Sequence, residues 1–107
     1  MHFIVYCKDK PDSLELRMAN REAHLNYVRG SDCVRIGGPI TGRNDEMAGS
    51  VLVLEFDTLD QAQQWSDNDP YAKAGLFQSV EIHPFRWSVA IRIRRDSAAD
   101  GLLVVQV

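Results

Sequence analysis

In the opening segment Phe3, Val5 and Cys7 fall on one face of an extended chain, and Ile4 and Tyr6 fall on the other. Apolar side chains on both faces predict an interior strand over residues 2–7. A polar connection containing Pro11 follows at 8–12, and Asp12 with Glu15 has the spacing of a capping box. Leu14, Met18, Leu25 and Val28 then recur at helical intervals. This predicts an amphipathic helix over 13–29, with Gly30 as its terminator.

The pattern changes at 33–36, a short strand ending in Gly37-Gly38-Pro39, where the backbone can turn sharply and come close to another group. Residues 40–48 are polar and are expected to form a loop. The Val-Leu-Val-Leu-Glu-Phe run within 50–56 is the strongest strand signal in the chain. Thr58 and Gln61 repeat the capping-box spacing ahead of Ala62 and Trp65, which predicts a second helix to about Asn68 with Trp65 in the core. Asp69-Pro70 reads as the cap and first position of a further short helix toward Gly75. Residues 79–83 give another strand, and Pro84 permits an edge or a bend after it.

Strand, helix, strand, strand, helix, strand is an α+β order, and it matches the ferredoxin-like plan of an antiparallel sheet with both helices on one face. The other face would stay uncovered although several of its residues are apolar, which points to a homodimer formed through it. Trp87 has the position to pack at such an intersubunit edge. The domain is taken as residues 1–90, followed by a C-terminal extension over 91–107. An alternating stretch at 89–94 is interrupted at 97–101 and resumes with Leu102, Leu103, Val104 and Val105. The extension is expected to form a strand at the edge of the domain or of the dimer.

A chain of 107 residues buries one core and little more, so a large cleft would need a second subunit. Apolar residues at 45% and charged residues at 25% are ordinary for a soluble globular domain. The net charge of -3 argues against a nucleic-acid surface, and Arg92, Arg94 and Arg95 read as a solvated strand face. With no signal-peptide pattern and no apolar run long enough to cross a bilayer, the expected location is the cytoplasm, without membrane contact. Cys7 and Cys33 lie among apolar residues and read as buried thiols, a disulfide or a reactive thiol being the alternatives. His2, His24 and His83 are dispersed, and there is no phosphate loop, nucleophile elbow or paired-cysteine motif. Neither a metal site nor a cofactor is expected.

Candidate chemistry centres on His24. Arg21 falls between Leu14 and Leu25 in the stripe expected to face the sheet, and His24, three residues on, shares its side of the helix. An imidazole there can exchange a proton near neutral pH, and a guanidinium can hold an anionic group. The plainer reading is a half-buried histidine that completes a polar contact. Asp69 is the candidate carboxylate; capping a helix and orienting a histidine are compatible duties. Gly38 and Pro39 permit close backbone approach to a small ligand. Tyr71 has two readings, orienting a substrate through its hydroxyl or filling space beside the second helix.

Taken together, Arg21-Glu22-Ala23-His24-Leu25, Gly37-Gly38-Pro39 and Asp67-Asn68-Asp69-Pro70-Tyr71 resemble the YCII-related, or YciI-like, family. The likeness runs over residues 2–86. It implies a ferredoxin-like fold of the dimeric alpha-beta barrel kind, with sheet-to-sheet dimerisation and a pocket between helices and sheet. It also implies a suspected active-site pair at His24 and Asp69, with Arg21, Gly38 and Pro39 shaping the cavity. Some relatives resemble muconolactone isomerases and chloromuconolactone dehalogenases. The expectation is therefore a cofactor-independent enzyme acting on a small anionic organic acid or lactone. The alternatives are a non-enzymatic ligand-binding or accessory domain and a structural dimer with a vestigial pocket.

Overall fold

The computed structural model describes residues 1–93 and 102–106, with residues 90–93 and 102–106 described as backbone only. The expected interruption at 97–101 and the side chains of Arg92, Arg94 and Arg95 lie outside the described residues.

Strand β1 (His2–Asp9) is interior, as its two apolar faces predict: it pairs antiparallel with β3 (Met47–Glu55) on one side and with β4 (Phe77–Phe85) on the other. With β2 (Val34–Thr41) outside β3, the order is β2-β3-β1-β4, the ferredoxin-like arrangement. Both edge strands carry a proline, Pro39 in β2 and Pro84 in β4, where a missing N–H can face away from the ladder. A single chain thus presents an open, uncurled four-stranded sheet.

Phe3, Val5 and Cys7 point to the helical side, where they join Leu52 and Leu54 of β3. Ala62 and Trp65 of α2 (Leu59–Asp67) close over them. Each large apolar side chain sequestered here stabilises the fold by about 1.5–3 kcal/mol. Trp65 is in the core as expected, and its indole donates to Ser31 Oγ at 3.0 Å. The Thr58–Gln61 box is present: Thr58 Oγ1 accepts from the Gln61 amide, and Gln61 Oε1 accepts from the Thr58 amide, both at 3.2 Å. Asp69 caps α3 (Pro70–Lys73), and Gly75, at φ 76°, turns the chain into Leu76 and β4.

Four expectations are corrected. The Asp12–Glu15 box does not form, because Asp12 takes a left-handed turn conformation (φ 54°) and Ser13 occupies the cap position of α1 (Leu14–Arg29). Ser13 Oγ donates to the Pro11 carbonyl at 3.2 Å rather than serving the helix. Gly37-Gly38-Pro39 does not end a strand; it runs through the middle of β2, opposite Leu52, Val51 and Ser50. The supposed loop at 40–48 is a hairpin whose turn spans only 42–46, with Asp45 at φ 64° and Gly42 N–H donating to the Glu46 carbonyl at 2.7 Å. Its polar residues belong to an exposed tip, which hides the strands on either side.

The fourth correction concerns α1. Leu14, Leu16 and Met18 are exposed, and the buried residues are Arg17 and His24. A helix that presents a cation and an imidazole to a sheet must find polar partners there.

On the far face of the sheet no helix among the described residues lies over Ile4, Tyr6, Ile36 and Val51, and Tyr6 and Ile36 are 43% and 60% exposed. Strand β5 (Val89–Ile93) pairs antiparallel with β6 (Leu102–Gln106) in a separate two-stranded ladder, so apolar residues 102–105 do resume strand structure. Among the described residues no helix is long and apolar enough to cross a membrane.

Candidate active site

His24 and Asp69, 45 positions apart, meet beneath α1: His24 Nδ1 lies 2.8 Å from Asp69 Oδ1. Both are buried, at 8% and 2% exposure. The same Oδ1 accepts the Tyr71 amide at 2.9 Å, so one carboxylate oxygen caps α3 and holds the imidazole. A carboxylate only accepts, so Nδ1 carries the hydrogen and the neutral ring keeps its lone pair on Nε2. His24 lies in the wall of a cavity of about 140 Å³, and with Nδ1 engaged by Asp69 its remaining ring nitrogen is Nε2.

Tyr71 fixes the ring from a second direction. Its side chain stacks on His24 with centroids 4.0 Å apart and planes 14° from parallel, and meets Phe77 edge-on at 6.1 Å. Burial raises the phenol above its ordinary range, against the opposing pull of Arg17 and Arg21. Tyr71 therefore remains a neutral hydroxyl at neutral pH. It fills space beneath α1, as one of the two readings has it, and it also lines the cavity.

The remaining wall is mixed. Leu25 and Val28 of α1 with Met47 and Leu52 of β3 supply its apolar part, and Gly37, Gly38 and Pro39 bring backbone to its edge. Gly37 is the tight position: a side chain would begin 3.2 Å from Leu52 Cδ2, whereas one on Gly38 would meet nothing within 4 Å. Arg21 lines the cavity too, but it is exposed and does not pack into the sheet as its place in the stripe suggested.

The buried guanidinium belongs to Arg17. Its Nη1 donates to both oxygens of Asp9, at 3.1 and 2.9 Å, and its Nη2 donates to Ser50 Oγ at 2.8 Å. Its Cζ lies 4.7 Å from the centre of the Tyr71 ring. Arg17, Asp9 and Ser50 went unrecognised in the sequence, although two signals were there. Asp9 continues the Phe3-Val5-Cys7 alternation onto the buried face, and Arg17 precedes His24 by two helical turns.

Neighbouring ionisable groups register the burial. Cys7, on the same strand face as Asp9, has its thiol pushed up to about 12, by burial first and then by the charges of Asp69 and Asp9. Tyr27, whose hydroxyl donates to the Trp65 carbonyl at 2.7 Å, is also pushed up to about 12, mainly by burial. Cys7 and Cys33 are both free. His83 stays on an exposed strand face beside Glu81, and His2 stands 3.4 Å from Glu55. Among the described residues no three His, Cys, Asp or Glu side chains gather as a metal-binding group.

Fold and site together define an α+β domain of ferredoxin-like order with a buried histidine–carboxylate pair in a small cavity between helix and sheet. The chain belongs to the YCII-related family, whose sequence profile, described as the YCII-related domain, matches residues 1–86. It is 37% identical over 95 residues to Protein YciI of Escherichia coli, covering 80% of this chain and 97% of that protein. An uncharacterized protein of Haemophilus influenzae is 30% identical with the same coverage. Among solved structures it is similar to 5-chloro-2-hydroxyhydroquinone dehydrochlorinase from Burkholderia phenoliruptrix, in complex with 2,5-dihydroxybenzoquinone. That likeness has a TM-score of 0.74 and 35% identity, over 79% of this chain and 93% of that one.

Proposed function

We propose that this chain is a cofactor-independent enzyme that moves a proton on a small anionic ring acid or lactone, with His24 as the base and Asp69 as its orienting carboxylate. The buried 2.8 Å contact between them, in the wall of a small cavity between helix and sheet, is the observation that carries the reading. A dry cavity of about 150 Å³ accommodates benzene, so about 140 Å³ suits a single six-membered ring. The similarity to a dehydrochlorinase of a small hydroxylated ring supports the same size and acidity of substrate.

In the reaction, His24 Nε2 takes a proton from a carbon beside a carbonyl, and the C–H electron pair moves into the carbonyl to give an enolate. The enolate then either expels a leaving group with its bonding pair, the base proton following to solvent, or accepts a proton at a different carbon. The first course is elimination and the second isomerisation; the dehydrochlorinase likeness favours elimination. Asp69 stays ionised and stabilises the imidazolium that forms. Arg21 draws the anion toward the cavity, Tyr71 offers a phenolic hydrogen, and the Gly38 and Pro39 backbone bounds the ring.

The working form is a homodimer joined through the uncovered sheet faces as a dimeric alpha-beta barrel. Residues 1–90 form its domain and 91–107 an extension at the dimer edge. The test is turnover of unsaturated lactone acids and halogenated hydroxyhydroquinones by wild type and His24→Ala, with folding followed by circular dichroism. At least one class is expected to turn over, about 10²–10⁴-fold more slowly in the variant. Binding without conversion throughout the panel would instead make this a ligand-binding domain.

A further inference from the structure

The cavity wall offers hydrogen-bond donors and hides its carboxylates. Arg17, Arg21, His24 and Ser50 line it, whereas Asp9 and Asp69 stand behind Arg17 and His24. Arg17 is only 2% exposed, and Asp9 and Ser50 occupy its two terminal nitrogens. Its Nε–H is buried and has no acceptor among the described residues. Ser50, itself 3% exposed, receives the Arg17 bond on an oxygen lone pair, which leaves its hydrogen for a second partner.

Stability alone does not account for this arrangement. A buried ion pair is a weak stabiliser beside well-packed apolar side chains, and an orphaned interior N–H is destabilising. A guanidinium held in place by a carboxylate, with its Nε–H unused, is instead suited to capturing a planar oxyanion. We propose that Arg17 and Ser50 form an anion-binding subsite at the Asp9 end of the cavity, where they hold an acidic oxygen of a small ring acid.

This subsite rests on the proposed use of the cavity and moves the principal anion anchor from exposed Arg21 to two buried donors. Arg17 and His24 stand two turns apart on α1, about 10 Å along its axis, and both contact the Tyr71 ring. A single ring spanning the cavity therefore meets the base at one end and the donors at the other. 2,5-Dihydroxybenzoquinone, whose acidic oxygens lie on opposite sides of its ring, is a suitable unreactive probe.

Arg17→Lys keeps a cation opposite Asp9 and removes the Nε donor, and Ser50→Ala removes the hydroxyl. Each is expected to weaken binding of 2,5-dihydroxybenzoquinone about tenfold or more in a folded protein, with Arg21→Gln costing less. In the wild type, the Arg17 Nε–H resonance in proton–nitrogen spectra is expected to shift and to gain protection from solvent exchange when the quinone is added. That readout holds even where a variant does not fold. Unaltered affinity in folded Arg17→Lys, an unmoved Nε–H resonance, or no binding of the quinone by wild type would each overturn the subsite. Arg17-dependent binding without turnover of any ring acid leaves the subsite standing and removes the catalytic role of His24. His24-dependent turnover whose KM ignores Arg17→Lys does the reverse.

Discussion

Asp69 carries two duties on one oxygen, and substitution can separate them. Asparagine keeps an oxygen for the Tyr71 amide and for His24 Nδ1, so Asp69→Asn is expected to hold its melting temperature while turnover falls with the lost charge. Asp69→Ala removes the cap as well and is expected to cost about 1 kcal/mol or more in chemical denaturation. Cys7 and Tyr27 make a separate prediction about alkaline pH. Their ordinary values of 9.0 and 10.0 are both raised to about 12 in the fold, so the unfolded chain gives up its protons first. Stability is then complete below about pH 9 and lost as pH rises toward 12. A melting temperature flat from pH 8 to 11 would contradict this; Cys7→Ala should reduce the slope. Spacing made His24 and Asp69 candidates, each with a plainer structural reading, and the family resemblance paired them; their separation of 45 positions hides the contact. Spacing misassigned the buried arginine, because Arg21 and Arg17 both lie within a turn or two of His24, and only the sheet decides which is covered.

Elements with strong local chemistry were legible and those defined by their neighbours were not. The α2 box follows from Thr58 and Gln61 alone, and Thr58→Ala is expected to destabilise the domain by about 1 kcal/mol in urea titration. Strand β1 could be read as interior because it is apolar on both faces, but its last residue, Asp9, looked like loop. Placing it requires knowing that Arg17 covers it. Helix α1 departs furthest from the expected pattern. Its leucines and methionine near the start face solvent, while its inner line holds Arg17 and His24 over a polar stretch of sheet. Amphipathicity normally marks which helix face packs; here the packed face contains the site. The β2–β3 hairpin was obscured for a related reason, since an edge strand rich in glycine and proline lacks the apolar alternation of a central one.

At the scale of the molecule, helices over one face of an open antiparallel sheet leave apolar side chains such as Tyr6 and Ile36 exposed on the other, and the proposed dimer uses that face. Ile36→Asp, at a 60% exposed position on that face, is expected to shift the protein to monomer in sedimentation without unfolding it. A wild type that sediments as a monomer at micromolar concentration would count against the dimer and leave the site intact. The central claim is that His24 transfers a proton while Asp69 orients it, and chemical rescue tests this most directly. On whichever ring acid the wild type converts, folded His24→Ala should lose about 10²–10⁴-fold in kcat, and added imidazole should restore turnover in proportion to its concentration. Undiminished kcat in folded His24→Ala would contradict the account.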